Sequence, residues 1–251
     1  MMESRHSNSP RMVLVTTKQF DGYYEIGDPV SQAKIYEAQA ADELIFVDIR
    51  PTENSVSILA DVVKRAASEI FMPITVGGGV KTLDDFRTLL VSGADKVSIN
   101  TAAVKDPDLI KRASNMFGAQ CVVLSIDFRR DQSGDYHVWI CGGKEKTDLH
   151  PLAWAEEGES LGAGELLLTS IDRDGTRSGL DIELTGKTAE HVSIPVIASG
   201  GCGLAKHFVE GFIDGKADAV SAGTYFCFKD ENPMQTRSQI KNAGISIRIH
   251  I

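Results

Sequence analysis

The sequence lacks the features of a membrane-bound, exported or nucleic-acid-binding protein. No apolar run approaches the ~20 residues that cross a bilayer, and the N-terminus has no hydrophobic segment of the secretory kind. Lys and Arg number 26 against 35 Asp and Glu, a net charge of −9, and no basic cluster is long enough to neutralise a row of phosphates. We therefore expect a cytoplasmic protein with neither a membrane nor a nucleic acid as partner.

Cysteine is scarce, and its spacing excludes the common disulfide and metal frameworks. The four residues form no C-x-x-C pair and lie in or beside apolar runs, where free thiols pack as small hydrophobes; they are Cys121, Cys141, Cys202 and Cys227. This usage is typical of a reducing cytosol.

The chain has instead a regular alternation of short apolar runs and helical patterns. Seven runs are apolar on both faces and end in Gly, Ser, Asp or Thr, as buried parallel strands do: DELIFVDI, PITVGGG, KVSIN, CVVLSIDF, GELLLTSI, PVIASGG and AVSAGT. Between them lie helices with clear ends; Asp106 and Pro107 open one that Gly118 closes. The 251 residues, 42% of them apolar, are enough for a single domain over 1–251 with one large core.

The sequence also repeats itself at a shift of 122 positions. Residues 43–46 (ELIF) fall on 165–168 (ELLL), and Gly78-Gly79 falls on Gly200-Gly201; after one inserted residue, 94–98 (ADKVS) meets 217–221 (ADAVS). Two copies of a four-strand unit close into an eight-strand barrel, whereas an open doubly wound sheet reverses its strand order midway. The predicted fold is α/β, a (β/α)8 TIM barrel built from two half-barrel repeats.

One strand of this barrel is unaccounted for. One residue out of that shift, MVLVTT (12–17) falls on DYHVWI (135–140), so both are predicted to be the returning strand of a hairpin. At the shift of 122, residues 1–10 fall where strand one should stand. MMESRHSNSP would bury Glu, Arg, His and Asn there without evident partners. We expect strand one to be degraded or missing: residues 1–10 are disordered, form an imperfect strand, or follow a start placed downstream of the true strand.

The predicted strand ends carry groups suited to phosphate. Glycines let backbone N–H groups approach an anion, and Ser and Thr add hydroxyl donors. Gly79 with Asn100-Thr101 lies on one side of the barrel mouth, and Gly201 with Gly223-Thr224 lies on the other. One Gly-Gly pair could simply make a turn, but two symmetric copies favour a ligand with a phosphate at each end.

Acidic residues are the candidates for chemistry between these sites. Asp127 ends the strand LSIDF, where a carboxylate serves as general acid or base if burial raises its pKa; the alternative is a structural Asp that bonds the adjoining hairpin. Asp172 and Asp174 in IDRDG could hold a metal, but there is no third clustered ligand, and none of the six histidines falls at a strand end. A loop over phosphate is preferred, and no metal or cofactor is expected.

Three charged residues lie at the opposite face of the barrel. Glu43, Lys96 and Glu165 each stand near the start of a predicted strand. Charges there usually form a salt-bridge ring that caps the barrel floor.

Several motifs together resemble a known family. GDPV, DELIFVDI, TVGGGV, GADKVSINTAAV, FGAQCVVLSID, GAGELLLTSIDRDGTRSG and IPVIASGG are similar to those of HisF, the cyclase subunit of imidazole glycerol phosphate synthase, from about Gly27 to the last residues. In that family a glutaminase (HisH) docks at the barrel floor, and its ammonia passes through the barrel to a bisphosphorylated ribulosyl substrate. The products are imidazole glycerol phosphate and an aminoimidazole carboxamide ribotide. The resemblance implies a cytoplasmic lyase of histidine and amino-acid biosynthesis within a glutamine amidotransferase complex.

The resemblance also implies roles for individual residues. Asp127 matches one of two catalytic aspartates, and Thr169 and Ser199 line the cavity beside it. The residues matching the two phosphate sites are Gly79, Asn100 and Thr101 for one, and Asp174, Gly175, Gly201, Gly223 and Thr224 for the other. Those at the floor are Glu43, Lys96 and Glu165, which match three of four ammonia-gate residues, and Asp95, which matches a partner-contacting Asp. The fourth gate residue, an Arg on strand one, has no counterpart.

The second catalytic aspartate is also without a counterpart. The family register puts its position near Asn8 and the internal repeat points to Arg5, and neither residue is a carboxylate. A branch of the family linked to surface polysaccharide (O-antigen) pathways replaces this Asp and delivers ammonia to a partner that amidates a nucleotide-linked sugar. The C-terminal GTYFCFKDENPMQTRSQIKNAGI resembles that branch. Three functions stay open: the histidine cyclase, an ammonia-channelling subunit for a sugar amidotransferase, and an inactive scaffold that docks a glutaminase.

Overall fold

The computed structural model describes residues 2–5, 11–228 and 231–248. Its N-terminal part is a three-stranded antiparallel sheet of β1 (Met2–Arg5), β2 (Arg11–Lys18) and β3 (Asp21–Gly27), hydrogen-bonded in chain order. The predicted returning strand at 12–17 is thus confirmed as β2. The predicted degraded segment contains the short β1, while residue 1 and residues 6–10 lie outside the described residues.

The register of this hairpin differs from that of its repeat-related partner. Arg5 pairs with Arg11 in the first hairpin, whereas Asp127 pairs with Trp139 in the second. At the repeat shift of 122, Asp127 and Trp139 correspond to positions 5 and 17. Position 5 therefore pairs with residue 11 in the first hairpin, where the second hairpin would predict residue 17. In the described part of the chain, β1 hydrogen-bonds only to β2, so it does not take the place of a parallel barrel strand.

A sheet with seven parallel strands forms the centre of the protein. Neighbours in the sheet are also neighbours in the chain: β4 (Leu44–Val47), β5 (Ile74–Gly77), β6 (Lys96–Ile99), β7 (Val122–Arg130), then, after the antiparallel β8 (Tyr136–Ile140) and β9 (Glu145–Lys146), β10 (Glu165–Ser170), β11 (Val196–Ser199) and β12 (Ala219–Ser221). Consecutive order with helical crossovers is the arrangement of a TIM barrel. The predicted fold class is confirmed.

The helices cover the outside of the sheet. They are α1 (Pro29–Ala38), α2 (Ser55–Ala67), α3 (Leu83–Val91), α4 (Thr101–Lys105), α5 (Asp108–Phe117), α6 (Pro151–Ser160), α7 (Ile182–His191), α8 (Ala205–Ile213), α9 (Thr224–Phe228) and α10 (Pro233–Asn242). Gly118 ends α5 with φ of 93°, as its sequence predicted. None of the helices described is both long and apolar enough to cross a bilayer.

The two faces of the sheet bury different residues because side chains alternate along a strand. Leu124, Leu166 and Val196 pack outward in the main core with the helices. Val123 and Leu167 form a separate apolar cluster with Ile197, Ile45 and Ala219 on the inner face. We call the edge at the amino ends of the parallel strands the floor and the edge at their carboxyl ends the mouth.

The internal repeat is visible in backbone detail. A Cβ on Gly78 (φ 96°) would collide with the carbonyl oxygen of Asp48, and a Cβ on Gly200 (φ 90°) would collide with that of Ser170. These are matching positions in the two halves. Both glycines are therefore required by the same close approach of two strand ends.

Candidate functional site

The mouth brings together the inward side chains predicted from the strand ends. Asp127 of β7 pairs in register with Thr169 of β10, which pairs with Ser199 of β11, so these three lie side by side at one level of the inner face. The predicted cavity residues and the predicted acid are thus neighbours. The chemical roles assigned to them stay predictions.

Asp127 has the electrostatics of a proton carrier. Burial, assisted by the charge of Asp174, raises its pKa to about 7, although hydrogen bonds from Asn100 and Ser125 lower it. The Asn100 amide Nδ2 donates to Asp127 Oδ2 at 2.7 Å. A carboxyl that is half protonated near pH 7 can both accept and give a proton.

The first predicted phosphate site lies at the ends of β5 and β6. Gly79 has φ of 77°, and a Cβ there would lie 2.9 Å from Pro51 Cβ, so the loop closes tightly against its neighbour. Thr101 Oγ1 accepts from Cys141 N at 2.9 Å, which leaves its own proton for a ligand. Asn100 Oδ1 is buried and has no partner among the described residues.

The second predicted phosphate site lies at the ends of β11 and β12. Gly201 has φ of 112°, and a Cβ on it would collide with the carbonyl of Gly179, whereas a Cβ on Gly223 would meet open space. The Thr224 hydroxyl lies 2.6 Å from that of Thr16 on β2. The first hairpin therefore borders this site.

Asp174 and Gly175 lie beneath the β2–β3 turn, where they hold the backbone of that hairpin. Thr17 Oγ1 donates to Asp174 Oδ2 at 2.8 Å, and Gln19 N donates to the carbonyl of Asp174 at 2.8 Å. Burial raises the pKa of Asp174, against the hydrogen bonds from Thr17 and the Phe20 backbone. Gly175 has φ of 67°, and a Cβ there would collide with the carbonyl of Thr17. A phosphate role for this pair would act through the position of the hairpin.

The three floor residues form the salt-bridge cluster that their positions predict. Lys96 Nζ lies 2.8 Å from Glu165 Oε2 and 2.9 Å from Glu43 Oε2. Burial alone would lower the pKa of Lys96, but the hydrogen bonds and charges of Glu165 and Glu43 outweigh it and raise the pKa. A charged lysine thus bridges two carboxylates across the amino ends of three strands.

Asp95 has a structural role that its repeat copy shares. Its Oδ2 accepts from Ile74 N at 2.8 Å, and Asp218 Oδ2 accepts from Val196 N at 2.9 Å. Each bond ties the start of one strand to the turn before the next. Asp95 is also exposed beside the floor, so contact with a partner stays a prediction.

Sequence reasoning missed two groups at the mouth. Asp48 is 2% exposed; its Oδ1 accepts from Arg50 N at 2.9 Å, and its Oδ2 has no partner in the part of the chain described. The sequence could have indicated Asp48, because it is the last polar residue of the apolar run DELIFVDI, as Asp127 is of LSIDF. Trp139, paired with Asp127 across the hairpin, gave no such signal.

Known proteins are similar to this chain over most of its length. The family model described as "Histidine biosynthesis protein" matches residues 8–231. The "Putative imidazole glycerol phosphate synthase subunit hisF2" of Prochlorococcus marinus is 51% identical over 240 residues, which cover 96% of this chain and 92% of the relative. The "Imidazole glycerol phosphate synthase subunit HisF" of Clostridium botulinum is 47% identical over 227 residues (90% and 89%), and that of Methanococcus maripaludis is 45% identical over 245 (90% and 90%). This chain belongs to the histidine biosynthesis protein family.

Proposed function

We propose that the chain is the cyclase subunit of imidazole glycerol phosphate synthase, a lyase that uses ammonia on a bisphosphorylated ribulosyl aminoimidazole carboxamide substrate. The observation that carries this is the position of Asp127, with its pKa of about 7, at the mouth between two glycine-lined strand ends related by the repeat. Relatives at 45–51% identity bear the names of this enzyme's subunit.

The chemistry required fits one half-protonated carboxyl. Addition of ammonia to the ketone of a ribulosyl group needs a proton for the departing oxygen and a base for the protons of the attacking nitrogen. Asp127 supplies the first when protonated and the second when ionised. The two phosphate groups, held at opposite sides of the mouth, would fix the carbon between them beside this side chain.

A glutaminase at the floor would supply the ammonia. The Glu43–Lys96–Glu165 cluster stands at the entrance to the inner face, where it would act as the gate. Large apolar side chains at the floor ends of helices and loops are exposed: Phe71 99%, Val91 82%, Ile213 55% and Met116 50%. Exposed apolar side chains on the same face of the barrel as this charged cluster support a protein-docking surface.

Ammonium-driven turnover of the purified protein tests the cyclase function. With no carboxylate at Arg5 or Asn8, the expected rate is about 10²–10⁴-fold below that of an enzyme with both acids, and D127N should abolish it. Turnover indistinguishable from that of D127N would refute the proposal.

A second candidate is favoured by the absent strand-one carboxylate. An ammonia-channelling subunit that serves a sugar amidotransferase needs the gate and the barrel interior but not a complete acid/base pair. It predicts that the protein, with its glutaminase, releases ammonia at the mouth and forms no imidazole product. A scaffold that only docks the glutaminase would give neither. We place all three candidate functions in the cytoplasm. The cysteines of the described chain are free thiols.

A further inference from the structure

One loop above the mouth touches both hairpins. It follows β10, and its Asp172 accepts through Oδ2 from Arg130 N at 2.9 Å in the β7–β8 hairpin. The carbonyl of the same residue accepts from Gln19 Nε2 at 2.9 Å in the β2–β3 hairpin. A single residue thus fixes the spacing of two elements that border the candidate phosphate sites.

A chain of contacts leads from Asp172 to Asp127. Asp172 Oδ1 lies 3.3 Å from Arg129 Nε, an ion pair by distance that lacks hydrogen-bond geometry, and the Arg129 guanidinium lies 5.0 Å from the centroid of the Trp139 ring. Trp139 pairs with Asp127 in the strand ladder, and its carbonyl accepts from Asn100 Nδ2 at 3.4 Å. That same amide nitrogen donates to Asp127 at 2.7 Å.

The repeat gives independent support for a hairpin-holding position. Shifted by 122, Asp172 falls on Arg50, whose guanidinium lies 4.6 Å from the ring centroid of Tyr23 in the β2–β3 hairpin. In both halves the residue at this position contacts a hairpin, although its charge has reversed. The first half thus contacts its hairpin at this position through a cation–π contact, and the second half does so through hydrogen bonds to a carboxylate.

We propose that Asp172 is a positioning residue that acts through Arg129 and Trp139 to hold the Asn100 amide against the Asp127 carboxylate. Arg129 matters because its planar guanidinium lies beside the Asp172 carboxylate and over the Trp139 indole at the same time. The proposal rests on the proposed function only for its activity readout, because the hydrogen bond itself belongs to the free protein.

The test is an NMR titration of the Asp127 carboxyl in the full chain, assigned with D127N. In D172N the Asn100 bond to the ionised form weakens, so the Asp127 pKa should rise by half a pH unit or more. Direct loss of the Asp172 charge would move it down, so a rise reports position rather than charge. D131N is the matched control: it removes an ion-paired acid at the far end of the same hairpin and should leave the pKa in place.

R129K tests whether Asp172 acts through Arg129. It also takes the place of D172N in the titration if D172N does not fold. It keeps the charge but loses the planar stack, so the same rise is expected. The double variant should shift the pKa no further than either single one. No rise in D172N or R129K, or an additive rise in the double variant, would overturn the proposal.

Ammonium-driven kinetics give the second readout. D172N should lower kcat about 10-fold with KM changed less than about 3-fold, whereas a merely structural defect would lower the melting temperature with kcat intact. If the parent protein shows no turnover, the proposed function fails while the titration still decides the role of Asp172.

Discussion

Asp127 combines two properties that conflict in a folded protein, since it is buried and it must ionise. Its folded pKa of about 7 lies above the ordinary 3.8. At a pH between these two pKa values, Asp127 has lost its proton in the unfolded chain but still binds it in the folded chain. The free energy of unfolding therefore falls as pH rises from about 4 to about 7, and it is level with respect to this group above 7.

The first prediction follows from that sign. D127N removes the cost of ionisation, so it should raise the free energy of unfolding at pH 8 by on the order of 2 kcal/mol while it abolishes turnover. Urea unfolding at pH 4 and pH 8 measures both ends. The gain should be near zero at pH 4, and an equal gain at both pH values would contradict the assignment of the raised pKa.

Lys96 carries the second prediction at this scale. K96A removes the bridge between Glu43 and Glu165, so it should lower glutamine-driven turnover with the glutaminase several-fold more than ammonium-driven turnover. K187A is the control, because Lys187 pairs with Glu183 on the outside of α7. Equal losses in the two assays would argue against a gate.

At the scale of elements, the backbone directly after β5 and directly after β11 has no room for a side chain. G78A would put a methyl group into the backbone of Asp48 at a φ of 96°, so we expect a loss of about 3 kcal/mol or more in unfolding free energy. G134A is a matched control, since it has φ of 92° at the tip of the β7–β8 hairpin with nothing within 4 Å. It should cost about 1 kcal/mol. Similar losses in the two variants would mean that φ alone, rather than the close approach, requires the glycine.

The elements also show what local sequence encodes. GELLLTSI is apolar on both faces and becomes β10 (Glu165–Ser170), and the end of α5 falls at Gly118 as its glycine predicted. The partner of Asp174 lies 157 residues away on β2, and no periodic pattern specifies such a loop contact. The same holds for Asp172 with Arg129. The strand-end acids were predictable, whereas the contacts that orient them were not.

At the scale of the whole molecule, the proposed complex binds the glutaminase at the floor and carries out the cyclase reaction at the mouth. Phe71 is 99% exposed at the floor, so F71S should fold normally and weaken the glutaminase complex about 10-fold or more. Its ammonium-driven turnover should match that of the parent. Y24S, at a Tyr that is 66% exposed on the β2–β3 hairpin, is the control and should bind the glutaminase unchanged. Calorimetric titration measures both, and equal affinities for F71S and the parent would move the docking surface elsewhere.

The bonds of Asp95 and Asp218 make each half of the sheet a unit that fastens its own strands. Asp95 bonds to Ile74 within the first half, and Asp218 bonds to Val196 within the second. A chimera that fuses two copies of the second half would inherit the strand CVVLSID twice, and with it a carboxylate at the position where this chain has Arg5.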